Sequence, residues 1–95
     1  MHGHRAYLRR RMAVCAVFET TGALTPMRIR TDEGWKPITH VKRGNVPRLL
    51  SGIATDVYAV WVEGYESELY FDARAGVWFS LEEVKEEGTD GIHQN

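Results

Sequence analysis

Residues 55–81 read TDVYAVWVEGYESELYFDARAGVWFSL, and this stretch decides the fold class. Residues 55–62 are almost all β-branched, aromatic or small, which favours a strand over a helix. Two short turn-like segments separate this run from residues 68–72 and 77–81, in which apolar and polar side chains alternate. Two tight connections in succession predict a three-stranded antiparallel meander.

The chain before the meander repeats the same pattern of strand and turn. Residues 12–18 form an apolar run typical of a first strand, and residues 27–31 alternate apolar with basic side chains. Residues 35–43 are predicted to form a third strand, with Pro37 near its beginning, where proline is tolerated. These three strands and the meander amount to six short strands. They predict an all-β domain, either a small SH3-like barrel or a strongly bent sheet.

The irregular residues 44–52 are expected to form a loop whose Leu49-Leu50 pair packs over one end of the core. We assign residues 12–87 to a single domain, because a chain of this length holds one core. Its last part, residues 82–87, is predicted to form one or two helical turns that end at Gly88.

The two ends of the chain are expected to lie outside this domain. Residues 1–11 contain three consecutive arginines and little apolar material, which is typical of a disordered basic tail. Residues 88–95 are predicted to be a second disordered tail. Met12 begins the first convincing element, so it is an alternative natural start to Met1.

Cys15 is the only cysteine, which excludes an internal disulfide and a cysteine-based zinc cage. A lone thiol favours a reducing compartment, and we predict a cytoplasmic protein. The apolar run 12–18 is too short to span a membrane and has no signal-peptide cleavage site after it. Because Cys15 lies between Val14 and Ala16, we expect it to be buried and unreactive.

Charge is divided unevenly along the chain, although the formal net charge is only −1. Residues 1–50 contain ten of the twelve lysines and arginines, and residues 51–95 contain ten of the thirteen acidic residues. This division indicates charged partners or internal pairing, and it does not bear on the fold.

A basic face on the second and third strands favours single-stranded nucleic acid as one possible ligand. Lysine and arginine side chains hold phosphates, and an exposed aromatic ring stacks on a base. The overall isoelectric point near 6.4 is low for a dedicated nucleic-acid binder. The residues that we assign to this face are Arg28, Arg30, Trp35, Lys36, Lys42, Arg43 and Arg48, and the N-terminal Arg5, Arg9, Arg10 and Arg11 would extend it.

The aromatic residues favour an alternative, a protein-interaction module or a homodimer. Ten aromatic side chains are more than one small core can bury, and both faces of residues 55–62 carry a large ring. We therefore predict a partner surface at Tyr58, Trp61 and Tyr65. The complementary charges of the two halves also favour self-association or a charged partner. We rank this function ahead of nucleic-acid binding.

Residues suited to carry out a reaction are not evident, so we predict a non-enzymatic protein without a cofactor, a metal or a small-molecule substrate. His2 and His4 lie in the predicted tail, where a preorganised metal site is not expected. The carboxylates of Glu66, Glu68 and Asp72 lie at a hairpin or on its polar face, which favours solvated surface charge over paired acid-base catalysis.

The layout of residues 14–81 resembles that of small bacterial proteins of firmicutes and mobile elements that have no established activity. The shared features are an apolar first strand, Gly22 with Pro26, Gly34-Trp35, Ile38 with Val41, a strand over residues 58–62, Gly64, Leu69-Tyr70-Phe71 and Trp78-Phe79. The resemblance implies a compact β fold. It implies nothing about chemistry.

Overall fold

A computed structural model describes residues 6–84. Their strand pairs are all antiparallel, which confirms the all-β class. The elements are β1 (Ala6–Met12), β2 (Val14–Phe18), β3 (Leu24–Thr31), β4 (Gly34–Pro37), β5 (His40–Gly44), a short 3-10 helix (Arg48–Leu50), β6 (Asp56–Val62), β7 (Tyr65–Asp72) and β8 (Val77–Val84).

The strands form two sheets, a large one of order β1-β8-β7-β6-β5 and a small one of order β2-β3-β4. Within the large sheet, β6, β7 and β8 are neighbours joined by two hairpins, which confirms the meander predicted for residues 55–81. Glu63 and Gly64 form the first turn, with φ values of 53° and 85°. Positive φ at both positions of a two-residue loop matches the twist of the flanking strands.

The chain passes from one sheet to the other twice. It leaves the large sheet after β1 at Ala13, whose carbonyl accepts a hydrogen bond of 2.9 Å from the Arg30 amide. It returns after Pro37, the last residue of β4. The Thr39 amide then donates to the Trp61 carbonyl at 2.8 Å. The predicted strand over residues 35–43 is therefore two strands in different sheets.

Several other sequence-based expectations need correction. The described strands number eight rather than six, and residues 6–84 do not close into one barrel. The predicted N-terminal tail is wrong for residues 6–11, which belong to β1 and pair with β8. The helical turns predicted from residue 82 are wrong for residues 82–84, which extend β8. Residues 1–5 and 85–95, including the predicted C-terminal tail, lie outside the described residues.

The large sheet has an apolar core on each face. The sandwich core lies between the two sheets and contains Ile29, Tyr58, Val60, Leu69 and Trp78. The loop core lies on the opposite face, under the segment that joins β5 to β6, and contains Leu50, Ala54, Val57, Tyr70 and Phe79. Successive strand residues point to opposite faces, so adjacent residues such as Val57 and Tyr58 enter different cores.

The loop that covers the second core behaves only partly as predicted. Leu50 is buried in the loop core, while the side chain of Leu49 is 78% exposed. Both leucines belong to the 3-10 helix, which follows Pro47 and turns Leu50 inward and Leu49 outward. Leu49 is therefore available at the surface.

Candidate functional site

Arg28, Arg30 and Trp35 share the outer face of the small sheet. Arg30 pairs directly with Trp35 across β3 and β4, and Arg28 lies two residues from Arg30 along β3. Ile29, between the two arginines, points the other way into the sandwich core. Both arginines are exposed, and Trp35 is 48% exposed. A half-exposed indole thus lies opposite a guanidinium on a solvent-facing surface.

Two arginines of β1 lie beside Arg30 at the place where the chain changes sheet. Arg10 and Arg11 line a groove of about 590 Å³ together with Arg30 of β3. The hydrogen bond from the Arg30 amide to the Ala13 carbonyl holds the end of β1 against β3. One carboxylate, that of Asp32, lines the same groove. We define the basic surface as Arg10, Arg11, Arg28, Arg30 and Trp35.

The arginines of the basic surface differ from Arg9, Lys36 and Arg43, each of which forms an ion pair within the protein. Among the described residues, Arg10, Arg11, Arg28 and Arg30 form no ion pair. Their guanidinium groups therefore remain available to anions from solution.

Lys36 and Arg43, which the sequence assigned to the same face, are instead engaged within the protein. Lys36 is paired with Ile29 in register and so shares its inward face, where its Nζ donates to Glu63 Oε2 at 3.0 Å. A second carboxylate, that of Glu33, lies 3.3 Å from the same Nζ. The hydrogen bonds to Glu63 and then to Glu33 raise the pKa of Lys36. Arg43 forms an ion pair with Asp56.

Lys42 and Arg48 belong to other parts of the molecule. Lys42 is exposed on β5, an edge strand of the large sheet, and Arg48 is exposed at the start of the 3-10 helix. The structure therefore brings together only three of the seven residues that we predicted for a basic face, namely Arg28, Arg30 and Trp35. Arg10 and Arg11 of β1 border this surface where they line a groove with Arg30.

The predicted partner surface at Tyr58, Trp61 and Tyr65 is not formed. Tyr58 is 1% exposed, and its hydroxyl donates to the Leu24 carbonyl across the sandwich core. Trp61 is half-buried against the ring of His40, with 4.8 Å between the ring centroids. Tyr65 is 78% exposed. Tyr58 cannot meet a partner, because the small sheet already covers that face.

An apolar groove that the sequence analysis missed lies beside β1. Tyr7, Leu8, Leu49 and Ile53 line a cavity of about 520 Å³ and are all exposed, Leu8 to 60%. Tyr70 and Leu81 form its floor. We name these six residues the apolar groove. The signal for it in the sequence was Tyr7-Leu8 before the arginine run, which we interpreted as part of a tail.

Cys15 and the carboxylates of β7 are either exposed or hydrogen-bonded within the protein. Cys15, expected to be buried, is exposed on the outer face of β2. The Tyr70 hydroxyl donates to Glu68 at 2.7 Å, and the pKa of Tyr70 is raised, first by burial and then by this hydrogen bond. Asp72 accepts the amide of Arg74 at 3.0 Å in the turn before β8.

No group of three or more histidine, cysteine or acidic side chains within residues 6–84 is arranged to hold a metal ion. The described part of the chain also contains no helix with the length and apolar character needed to cross a membrane. Comparison with protein-family models, with curated proteins and with solved structures finds no match to the chain. The resemblance to small firmicute and mobile-element proteins therefore stays a prediction.

Proposed function

We propose that this protein is a non-enzymatic, cytoplasmic domain that binds single-stranded nucleic acid through the basic surface. The single observation that carries this proposal is that Arg28 and Arg30, which form no ion pair within residues 6–84, share an exposed face with the half-exposed Trp35, beside a groove that Arg30 lines with Arg10 and Arg11. Phosphates bind to arginine by charge-assisted hydrogen bonds, and a base stacks on the indole ring. The groove between β1 and β3 offers room for a phosphate-sugar backbone.

The chemistry of the surface favours a single strand over a duplex. An exposed sheet face with a half-exposed ring provides a stacking platform, which needs an unpaired base. Among residues 6–84 there is no helix of the kind that enters a major groove. Sequence preference is expected to be weak, because arginine contacts to phosphate do not distinguish bases.

Fluorescence anisotropy with a labelled oligothymidine of about 15 nucleotides at low salt tests the proposal. The variant Arg28→Ala/Arg30→Ala is expected to bind roughly tenfold or more weakly and to reduce the slope of log affinity against log salt by about 1–2. The matched control is Lys42→Ala/Arg48→Ala, which removes two positive charges outside the basic surface. Equal weakening by both variants, or no binding by the wild type, would contradict the proposal.

Trp35→Ala separates stacking from charge. We expect it to weaken binding by about 1–3 kcal/mol without changing the salt slope, because stacking on the ring is lost and every charge is kept. Tyr65→Ala removes another exposed aromatic ring, which lies on β7 of the large sheet, and should leave the affinity unchanged. Loss of affinity in the tyrosine variant alone would place the stacking ring elsewhere.

A second candidate function is a protein-interaction module or a homodimer, and the apolar groove favours it. Exposed apolar side chains that gather in one place are typical of contact surfaces. Sedimentation velocity at several protein concentrations tests self-association. If a dimer forms, Leu8→Ser/Leu49→Ser should dissociate it, while Phe18→Ser, which changes an exposed side chain on β2 in the other sheet, should not. A monomer at every concentration rejects the homodimer.

A further inference from the structure

The large sheet divides into two arms beyond the middle of β7. Only three residue pairs join β7 to β8: Tyr70 with Phe79, Phe71 with Trp78, and Asp72 with Val77. Beyond them, residues 65–69 pair with β6 alone and residues 80–84 pair with β1 alone within the described chain. We name the gap between residues 65–69 and 80–84 the fork. Each of its sides is the edge of a β-strand.

Further pairing of β7 with β8 would bring like charges together. If the β7–β8 register continued, Ser67 would lie opposite Glu82, and Glu66 would lie opposite Glu83. Like charges directly opposite each other on antiparallel strands are destabilising. Pairing of the two arms with each other would therefore bring two carboxylates opposite one another.

The edges that stay unpaired within residues 6–84 make the fork a template for another strand. A strand edge presents N–H and C=O groups at every second residue, and an extended peptide pairs with them readily. The space between the arms at their junction measures about 420 Å³, with Ser67 and Glu68 on one side and Ser80 and Leu81 on the other. Main-chain pairing of this kind gives affinity, and pockets for alternate side chains give specificity.

The side chains around the fork define which peptide fits. Glu66 and Glu68 share the face of Tyr70, since they lie four and two residues from it along β7. The floor of the apolar groove, Tyr70 and Leu81, also lines the fork, so the acidic and apolar groups meet on one face. A strand in the fork would direct every second side chain to this face. Those side chains should be basic and apolar.

We propose that the fork binds an extended peptide segment of a partner protein, which pairs with the edge of residues 65–69 and directs basic side chains to Glu66 and Glu68 and an apolar side chain into the apolar groove. This inference rests on the second candidate function, the protein-interaction module, and names the chemistry and the geometry of its partner. It is independent of nucleic-acid binding, since the basic surface uses β3, β4 and the end of β1.

The test measures binding of a labelled peptide, acetyl-Thr-Lys-Thr-Leu-Thr-Lys-Thr-amide, to the full chain by fluorescence anisotropy. A peptide with both lysines replaced by glutamate and a peptide with alternate backbone nitrogens methylated are the ligand controls. We expect the first peptide to bind and both controls to bind at least roughly tenfold more weakly, because they lose charge complementarity and main-chain pairing respectively. Equal binding of the methylated peptide would overturn the proposal.

The protein variants locate the site. Glu66→Gln/Glu68→Gln is expected to raise the Kd of the lysine peptide roughly tenfold. Glu19→Gln/Asp32→Asn removes two exposed acidic charges elsewhere and should leave the Kd unchanged. Equal effects of the two double variants, or competition by the oligothymidine for the same site, would overturn the peptide proposal.

Sedimentation velocity distinguishes failure of this inference from failure of the interaction module. If no peptide binds and the chain forms a dimer that Glu66→Gln/Glu68→Gln dissociates, the occupant is a second copy and the peptide proposal is wrong while the module stands. If no peptide binds and the chain is a monomer at every concentration, both are wrong.

Discussion

Tyr58 shows how one side chain links the two sheets. Its ring packs against Trp78 in the sandwich core, with 5.5 Å between the ring centroids, and the guanidinium of Arg43 lies 5.4 Å from the ring centroid. Its hydroxyl crosses to the small sheet and donates to the Leu24 carbonyl. The polar end of the ring is thereby satisfied within a buried site, which removes the cost of burying a hydroxyl.

Tyr58→Phe is expected to lower the free energy of unfolding by about 1–2 kcal/mol, because the Leu24 carbonyl loses its buried donor. Urea unfolding followed by tryptophan fluorescence measures the change. Tyr65→Phe provides the control, since that side chain is exposed and its substitution should have no effect. Equal midpoints for wild type and Tyr58→Phe would mean that water replaces the hydroxyl.

Cys15 is exposed, although the sequence predicted a buried thiol. It is exposed on β2, opposite Arg28 in the strand register. A thiol reagent is therefore expected to label the native protein at a rate within about threefold of the rate for the protein in urea. Protection of the thiol by several orders of magnitude in the native state would restore the buried cysteine that the sequence predicted.

At the level of the element, β1 has the most unexpected role. It pairs along its whole length with β8, from Ala6 with Val84 to Met12 with Trp78. Alternation then places Arg9 over the ring of Phe79, with 5.4 Å from the guanidinium carbon to the centroid. A segment rich in arginine is thus an edge strand, and its charges discourage edge-to-edge aggregation.

Removal of residues 1–11 tests this role directly. A chain that starts at Met12 is expected to lose at least about 2 kcal/mol of unfolding free energy, because β8 loses its outer partner and the loop core loses cover. Thermal denaturation followed by circular dichroism measures the loss. A truncated chain with an unchanged melting temperature would indicate a dispensable tail.

At the scale of the whole molecule, the large sheet is the common wall of two cores, and each core holds a buried tyrosine. Burial raises the pKa of Tyr58 above its usual 10.0, with a further rise from the charge of Asp56. Burial also raises the pKa of Tyr70, followed by its hydrogen bond to Glu68. Ionisation of either residue must place a charge inside a core.

Stability is therefore expected to fall at alkaline pH. A group whose pKa is higher in the folded state holds its proton more tightly there, so its contribution is complete below its unfolded pKa of about 10 and is lost as pH rises further. Urea midpoints measured from about pH 8 to about pH 11 should decline above pH 10. Tyr58→Phe/Tyr70→Phe should flatten this decline, whereas Tyr65→Phe should retain it. If the urea midpoints of all variants decline equally with pH, the assignment of this decline to Tyr58 and Tyr70 is contradicted.

The sequence predicted some parts of this arrangement well. Residues 55–81 have local turn signals and a regular alternation, so the meander follows from neighbouring residues alone. The co-facial placement of Arg28 and Arg30 follows from the period of a strand. The pairing of Arg30 with Trp35 joins residues five positions apart, and a single turn is enough to bring them together.

Other parts depended on contacts between distant residues. Nothing local distinguishes Tyr7 and Leu8 from a tail, because β1 becomes a strand only by pairing with β8, more than 60 positions away in the sequence. The engagement of Lys36 by Glu63 and the burial of Tyr58 by the small sheet arise in the same way. The apolar groove and the fork were missed for this reason.

The sequence by itself determined the all-β class, the antiparallel meander and the face on which Arg28 and Arg30 lie, since these follow from alternation and turn residues over a few positions. Only the tertiary structure decided which basic residues within residues 6–84 form ion pairs, which aromatic rings are covered, and where the central sheet divides. Those outcomes depend on strand pairing and sheet packing between segments far apart in the chain. The contacts between those segments are stabilised by burial and by ion pairing, and a local sequence pattern does not show which distant residues will meet.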